Sequence, residues 1–272
     1  MRDAFFTESA AGPIFCTGAL PDVPGEAACR VLLLPPFAEE MNRSRHVLTA
    51  IARLAQQADH QVLLPDLYGT GDSAGDFADA SLDIWRADID ATLARMDSSL
   101  PLHVIALRAG ALLTVDLIAR HAVRTLSLIQ PLHDGRQLIN QMLRLRLAAG
   151  LMGSGEKETA GGLREQLAAG DCLEIAGYRL SPLLVDGIES LRLTDADLST
   201  VERVHWTEIV PQPDRPMLPV SQRVIAAWEA KGVVVESAVV VCDQFWATQE
   251  IAYCPSLLQQ LAPHLAARSH AE

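Results

Sequence analysis

The residues with the clearest chemical meaning are Ala106-Leu107-Arg108-Ala109-Gly110. They follow the apolar run Val104-Ile105-Ala106-Leu107 and precede a segment, 111–120, patterned as a helix. A strand that turns tightly into a helix with small residues two before and two after its apex is the frame of a nucleophile elbow, G-x-S-x-G. The flanks must be small because the strand and helix backbones nearly touch there. Ala106 and Gly110 meet that demand, but Arg108 stands where the serine belongs. A guanidinium stays protonated and has no lone pair to attack with. It supplies positive charge and up to five donors. The chemistry open to it is recognition of an anion, stabilisation of an oxyanion, or pairing with an acid of the same chain.

Around such an elbow, a hydrolase needs an oxyanion-hole amide, an acid and a histidine. The loop Pro35-Pro36-Phe37-Ala38-Glu39-Glu40 is placed for the first, with Phe37 as the candidate amide donor and Ala109 beside the apex as a further lining residue. Asp214, in Pro211-Gln212-Pro213-Asp214, is placed for the acid. The loop Cys242-Asp243-Gln244-Phe245-Trp246, where the histidine belongs, has none. Two of the three triad members are therefore missing. An unpaired buried guanidinium costs several kcal/mol, so Arg108 requires an anion nearby, either a ligand or one of Glu39, Glu40 and Asp214. One of the two glutamates is expected to pair with Arg43 or Arg45; the sharper alternative makes Glu39 a general base. Phe245 and Trp246 either line a pocket or pack in the core. His133 is read as a solvated loop residue, His264 as a surface residue and Cys242 as a small buried side chain.

The elements that must position these groups alternate along the chain. Phe5-Phe6 and Ile14-Phe15-Cys16 suggest a hairpin. Val31–Leu34, 62–64, 104–107, 126–129, 204–210 and 233–241 read as strands, several of them continuous apolar runs of the kind buried on both faces. Helical spacing appears over 44–57, after Ser81 (Leu82, Trp85, Ile89, Leu93), over 111–120, over 220–230 and after Pro255. Strand–helix repeats predict a mostly parallel sheet with helices on both faces and ligand sites at the carboxyl edge. The pattern breaks over 135–200, where the leucine- and arginine-rich helix 137–149, a glycine-rich joint and a second helix, 163–169, read as a helical cap inserted into a single domain, 1–272.

Composition limits the partners. The chain has 272 residues, 49% hydrophobic and 21% charged, with a formal net charge of -12. Its acids are spread along the sequence, a surface that repels nucleic acid and anionic lipid. No apolar run approaches the roughly 18–20 residues of a membrane helix, and the N-terminus does not read as a signal peptide, so a cytoplasmic protein is expected. The five cysteines are scattered, with no C-x-x-C pair, which argues against a disulfide framework or a structural zinc site. No cofactor or metal is expected; the expected partner is a small-molecule substrate or anionic ligand.

Four stretches carry a resemblance to a known family: 33–45 (LLPPFAEEMNRSR), 64–77 (LPDLYGTGDSAGDF), 107–113 (LRAGALL) and 245–251 (FWATQEI). They resemble the exosortase A system-associated hydrolases of the second type, a branch of the α/β-hydrolase superfamily, over almost the whole chain. The resemblance implies an α/β-hydrolase fold with arginine usual at the elbow, and a bacterial cytoplasmic protein linked to exopolysaccharide production and protein sorting. Three functions follow as expectations: an ester or thioester hydrolase working without the usual serine and histidine, a non-catalytic binder of an anionic ligand through Arg108, and a scaffold in a polysaccharide-assembly complex using the face of 137–149.

Overall fold

A computed structural model describes residues 3–20, 27–150 and 158–266. Its centre is an eight-stranded sheet. The strands are β1 (Asp3–Ser9), β2 (Gly12–Ala19), β3 (Arg30–Leu34), β4 (Gln61–Pro65), β5 (Leu102–Leu107), β6 (Val123–Ile129), β9 (Arg203–Val210) and β10 (Val235–Val241), in the order β1-β2-β4-β3-β5-β6-β9-β10. Only the β1–β2 and β2–β4 pairings are antiparallel. The runs that read as buried strands in the sequence are so: every residue of β4 and β5 is buried.

Alternation along the strands divides the core in two. Val31, Leu33, Ile105, Leu107 and Ile209 point to the face covered by α1 (Ala38–Gln57) and α8 (Pro255–Leu265). Leu32, Leu34, Val104, Ala106, Val204 and Trp206 point to the other, covered by α2 (Leu82–Leu93), α3 (Gly110–Arg120) and α7 (Pro219–Glu229). The Ser81 hydroxyl caps α2 by accepting from the Ile84 N–H at 3.3 Å. Helix α1 begins at Ala38, earlier than its apolar spacing suggests. The periodic reading begins at Val47, yet Met41 and Ser44 also face inward. Glu39 and Glu40 therefore lie in the first helical turn, where acids suit the positive end of the helix.

Between β6 and β9 lie α4 (Gly135–Gly150), α5 (Ala160–Ala168), the two-stranded hairpin of β7 (Leu173–Ile175) and β8 (Tyr178–Leu180), and α6 (Pro182–Glu189). Gly153 and Gly155, part of the expected joint, fall outside the described residues. Side chains of α4 and the β7–β8 turn approach the carboxyl edge of the sheet, where they meet Phe37 and Ala109 around a common cavity.

Two sequence expectations fail here. Cys242 and Cys254 form a disulfide, with Cα atoms 5.7 Å apart. They are 12 positions apart, but the loop from β10 doubles back to start α8, which no sequence spacing reveals. His264 is not a free surface residue: its ring stacks on His205 with centroids 3.6 Å apart. Among the described residues no helix is long and apolar enough to cross a membrane.

Candidate functional site

Arg108 lies at the apex between β5 and α3 with φ 54°, a left-handed conformation costing a non-glycine residue roughly 1–2 kcal/mol. Three backbone hydrogen bonds hold it there. Its N–H donates to the Ile129 carbonyl at 3.0 Å, and its own carbonyl accepts from Ala111 at 3.1 Å and Leu132 at 3.2 Å. Gly110 explains the small flank: a Cβ there would lie 2.4 Å from the Leu34 carbonyl oxygen and 2.6 Å from that of Pro35. The geometry of a nucleophile elbow is thus present with an arginine at its tip.

The guanidinium is paired within the chain. Arg108 Nη2 donates to Glu40 Oε1 at 2.9 Å and Nε to Oε2 at 3.2 Å. A two-pronged arginine–carboxylate contact fixes orientation as well as charge. The Arg108 side chain is 11% exposed and that of Glu40 29%. The Trp246 ring closes the other side, with its centroid 5.0 Å from Arg108 Cζ, a cation–π distance. Glu39 pairs instead with Arg43, one helical turn on, at 3.0 Å. Arg43 also donates to the Ala247 carbonyl at 2.9 Å, so α1 holds the loop that carries Trp246. Arg45 turns away to the buried Asp66, at 2.7 Å.

Beside this pair is a cavity of about 120 Å³ lined mainly by apolar groups: Phe37, Ala38, Ala109, Leu138, Met142, Leu145, Ile175 and Ala176, with Glu39, Glu40 and Gln141. A more open groove of about 530 Å³ adjoins it and adds Arg43, Trp246 and Ala247. Phe37 is the residue before α1, and its ring packs on Trp85, centroids 4.6 Å apart. Among the described residues, neither the Phe37 nor the Ala109 N–H donates to a protein acceptor.

The structure brings together Arg108, Glu40, Glu39, Phe37, Ala109 and Trp246. It does not bring in two others. Asp214 is exposed, at φ 67° in the loop after β9, and makes no ion pair among the described residues. Glu40, in the first turn of α1, supplies the anion instead. Phe245 is fully buried against Trp246 and the His46 ring and lines neither cavity; it supports Trp246 from behind.

His133 also departs from expectation. It is half-buried, with its ring stacked on Trp206 at 5.6 Å, and it reaches Ser221 Oγ at 2.9 Å. The Ser221 hydroxyl donates to the buried Glu208 carboxylate, whose other oxygen accepts from the Leu218 N–H at 2.7 Å. The hydroxyl proton lies toward Glu208, so His133 donates its Nε2–H to Ser221 Oγ. Burial pushes the His133 pKa down, and the positive charges of Arg108 and Arg223 act in the same direction. Glu208 and Ser221 were hidden from sequence reasoning, because one sits inside a strand pattern and the other in a helix pattern. The only signal was an acid, Glu208, set beside the apolar Ile209 and Val210 at the end of a strand pattern.

Comparison with known proteins gives the fold its name. No protein-family model and no curated protein matches this chain. Solved structures do. Est1E from Butyrivibrio proteoclasticus, with ferulic acid bound, superposes with a TM-score of 0.61 at 15% identity, covering 97% of this chain and 96% of that one. A putative hydrolase from Agrobacterium vitis S4 gives 0.60 at 18% identity, covering 98% of each chain. A haloalkane dehalogenase variant, DbeA-M1 from Bradyrhizobium elkanii, gives 0.58 at 13% identity, covering 98% of this chain and 97% of that one. The chain has the α/β-hydrolase fold. Identities this low establish the fold and not the reaction.

Proposed function

We propose that this chain is a hydrolase-fold protein of the exosortase-associated kind that binds a short acyl group, as carboxylate, ester or thioester, in the cavity beneath its cap. The observation that carries this reading is the two-pronged Arg108–Glu40 pair at the elbow, next to an apolar cavity. The pair occupies the place of the nucleophile, which removes covalent catalysis. The apolar lining of Leu138, Met142 and Leu145 suits a hydrocarbon chain. About 120 Å³ corresponds to roughly four water molecules at liquid density, so the enclosed part of the ligand is short, and longer molecules extend into the open groove. A carboxylate head exchanges with Glu40 on the guanidinium. A carbonyl head accepts from the Phe37 and Ala109 amides.

Those two free amides favour a second reading, a slow ester or thioester hydrolase in which water attacks directly. They are the donors an oxyanion needs. Without a nucleophile the rate is low, and both Glu40 oxygens are already engaged by Arg108. The link to exopolysaccharide production rests on the sequence stretches alone.

Thermal-shift and calorimetric titration with hexanoate and hexanoyl-coenzyme A test the binding reading, alongside turnover of p-nitrophenyl hexanoate. Binding is expected in the parent chain and lost in Arg108→Ala and in Leu145→Asp, which puts a charge on the exposed rim. No binding, or binding equal in both variants, sinks the proposal. Turnover that depends on Arg108 moves the conclusion to the second reading.

A further inference from the structure

The sheet face under α1 and α8 is mostly apolar but turns polar near the amino ends of its strands, at the edge opposite Arg108. There a row of polar residues crosses four strands. His103 on β5 bonds Ser127 on β6 through Nε2 at 2.8 Å. Ser127 is the register partner of His205 on β9, and His205 that of Glu236 on β10. From α8, His264 lies over the row, stacked on His205 with ring planes 23° apart.

Three of these side chains converge. His205 Nδ1 is 3.2 Å and His264 Nδ1 3.8 Å from the same oxygen, Glu236 Oε2. One donor atom from each of the three residues falls within 4.8 Å of the others. The other Glu236 oxygen is engaged by Arg203, which fixes the carboxylate with Oε2 toward the imidazoles. His205 is 5% exposed, and beyond this approach to Glu236 its Nδ1 has no other partner among the described residues.

We propose that His205, Glu236 and His264 form a zinc site that fastens α8 to β9 and β10. Two imidazoles and one carboxylate match the donor preferences of Zn²⁺, whereas Ca²⁺ and Mg²⁺ require mostly oxygen. Glu236 is exposed, so water would be available to complete the coordination of an ion held there. Arg203 takes the outer-shell role of orienting a ligating carboxylate. The site lies at the far end of the strands from the cavity, so it is a structural clasp and needs no part in ligand chemistry. The scattered cysteines play no part in it. Its ligands come from two strands and a helix, far apart in sequence.

The full chain, stripped with EDTA and exchanged into chelator-free buffer, is titrated with Zn²⁺ by calorimetry and with Co²⁺ by visible absorption. One ion per chain is expected, with the intense visible bands of low-coordinate Co²⁺ and a higher melting temperature in Zn²⁺. His264→Ala and Glu236→Gln each weaken Zn²⁺ binding at least tenfold and abolish the melting shift, while both retain the parent circular dichroism. His121→Ala, which removes a histidine paired with Asp90 elsewhere, leaves the affinity unchanged. Absence of a stoichiometric site in the parent chain overturns the proposal, as does binding that survives His264→Ala or is lost equally in His121→Ala.

Discussion

Removing the Glu40 carboxylate tests how the elbow arginine is held. In Glu40→Gln the side chain keeps its shape and loses its charge, leaving Arg108, 11% exposed, without its counter-ion. At 2.9 Å between nitrogen and oxygen, the charge centres are about 4 Å apart, worth roughly 4 kcal/mol before desolvation at an effective dielectric constant near 20. Water reaches Glu40 on one side, which screens part of that. Breaking a fully buried pair costs about 3–5 kcal/mol and an exposed one about 0–1. An intermediate loss of about 2 kcal/mol is expected. Urea unfolding of the parent, Glu40→Gln, Arg108→Met and the double variant gives the coupling energy without assuming either single effect. A coupling of about 1.5–2 kcal/mol is expected, only modestly reduced in 0.5 M NaCl. The same Glu40→Gln variant should bind hexanoate about tenfold more tightly, since about 1.4 kcal/mol of competition for the guanidinium is gone. A coupling below about 0.5 kcal/mol, or hexanoate affinity that falls in Glu40→Gln, refutes the view that Glu40 is the resident anion of this site.

Other outcomes follow from the same geometry. Gly110→Ala drives a Cβ to 2.4 Å from the Leu34 carbonyl oxygen and should cost about 2–3 kcal/mol in urea unfolding, as an overpacked contact between backbones. Arg108→Ser restores the elbow sequence but should not raise p-nitrophenyl ester turnover by more than about tenfold, because the loop directly after β10, 242–254, offers no histidine to take the proton. Burial lowers the His103 pKa to about 3, with His205, His60 and His264 acting in the same direction. Its folded value lies below the unfolded one of about 6.5, so the unfolded chain binds the extra proton first. Stability should be constant above pH 7 and fall progressively as pH drops from 6.5 toward 3. Urea midpoints measured in EDTA at pH 7.5, 6 and 4.5 check this, and His103→Asn should flatten the decline.

Much of the fold was legible in the sequence because it rests on local periodicity. Val31–Leu34 and Val104–Leu107 are continuous apolar runs, and such runs become strands buried on both faces wherever they sit in the chain. The elbow was legible for the same reason: small residues at 106 and 110 report a close backbone approach that is itself local. The sequence also determined what the site lacks, since position 108 is not a serine and the loop directly after β10 holds no histidine. It did not determine which acid meets Arg108. Glu39, Glu40 and Asp214 were equal candidates in one dimension, and the choice depended on where α1 begins and which way its first turn faces. With the helix starting at Ala38, Glu39 turns to Arg43 and Glu40 to Arg108, while the turn after β9 holds Asp214 out in solvent. The disulfide of Cys242 with Cys254, the His133–Ser221–Glu208 chain and the meeting of His205, Glu236 and His264 were equally beyond the sequence. Each joins side chains whose distance is set by strand order and helix docking, and those are properties of the packed molecule, not of any segment within it.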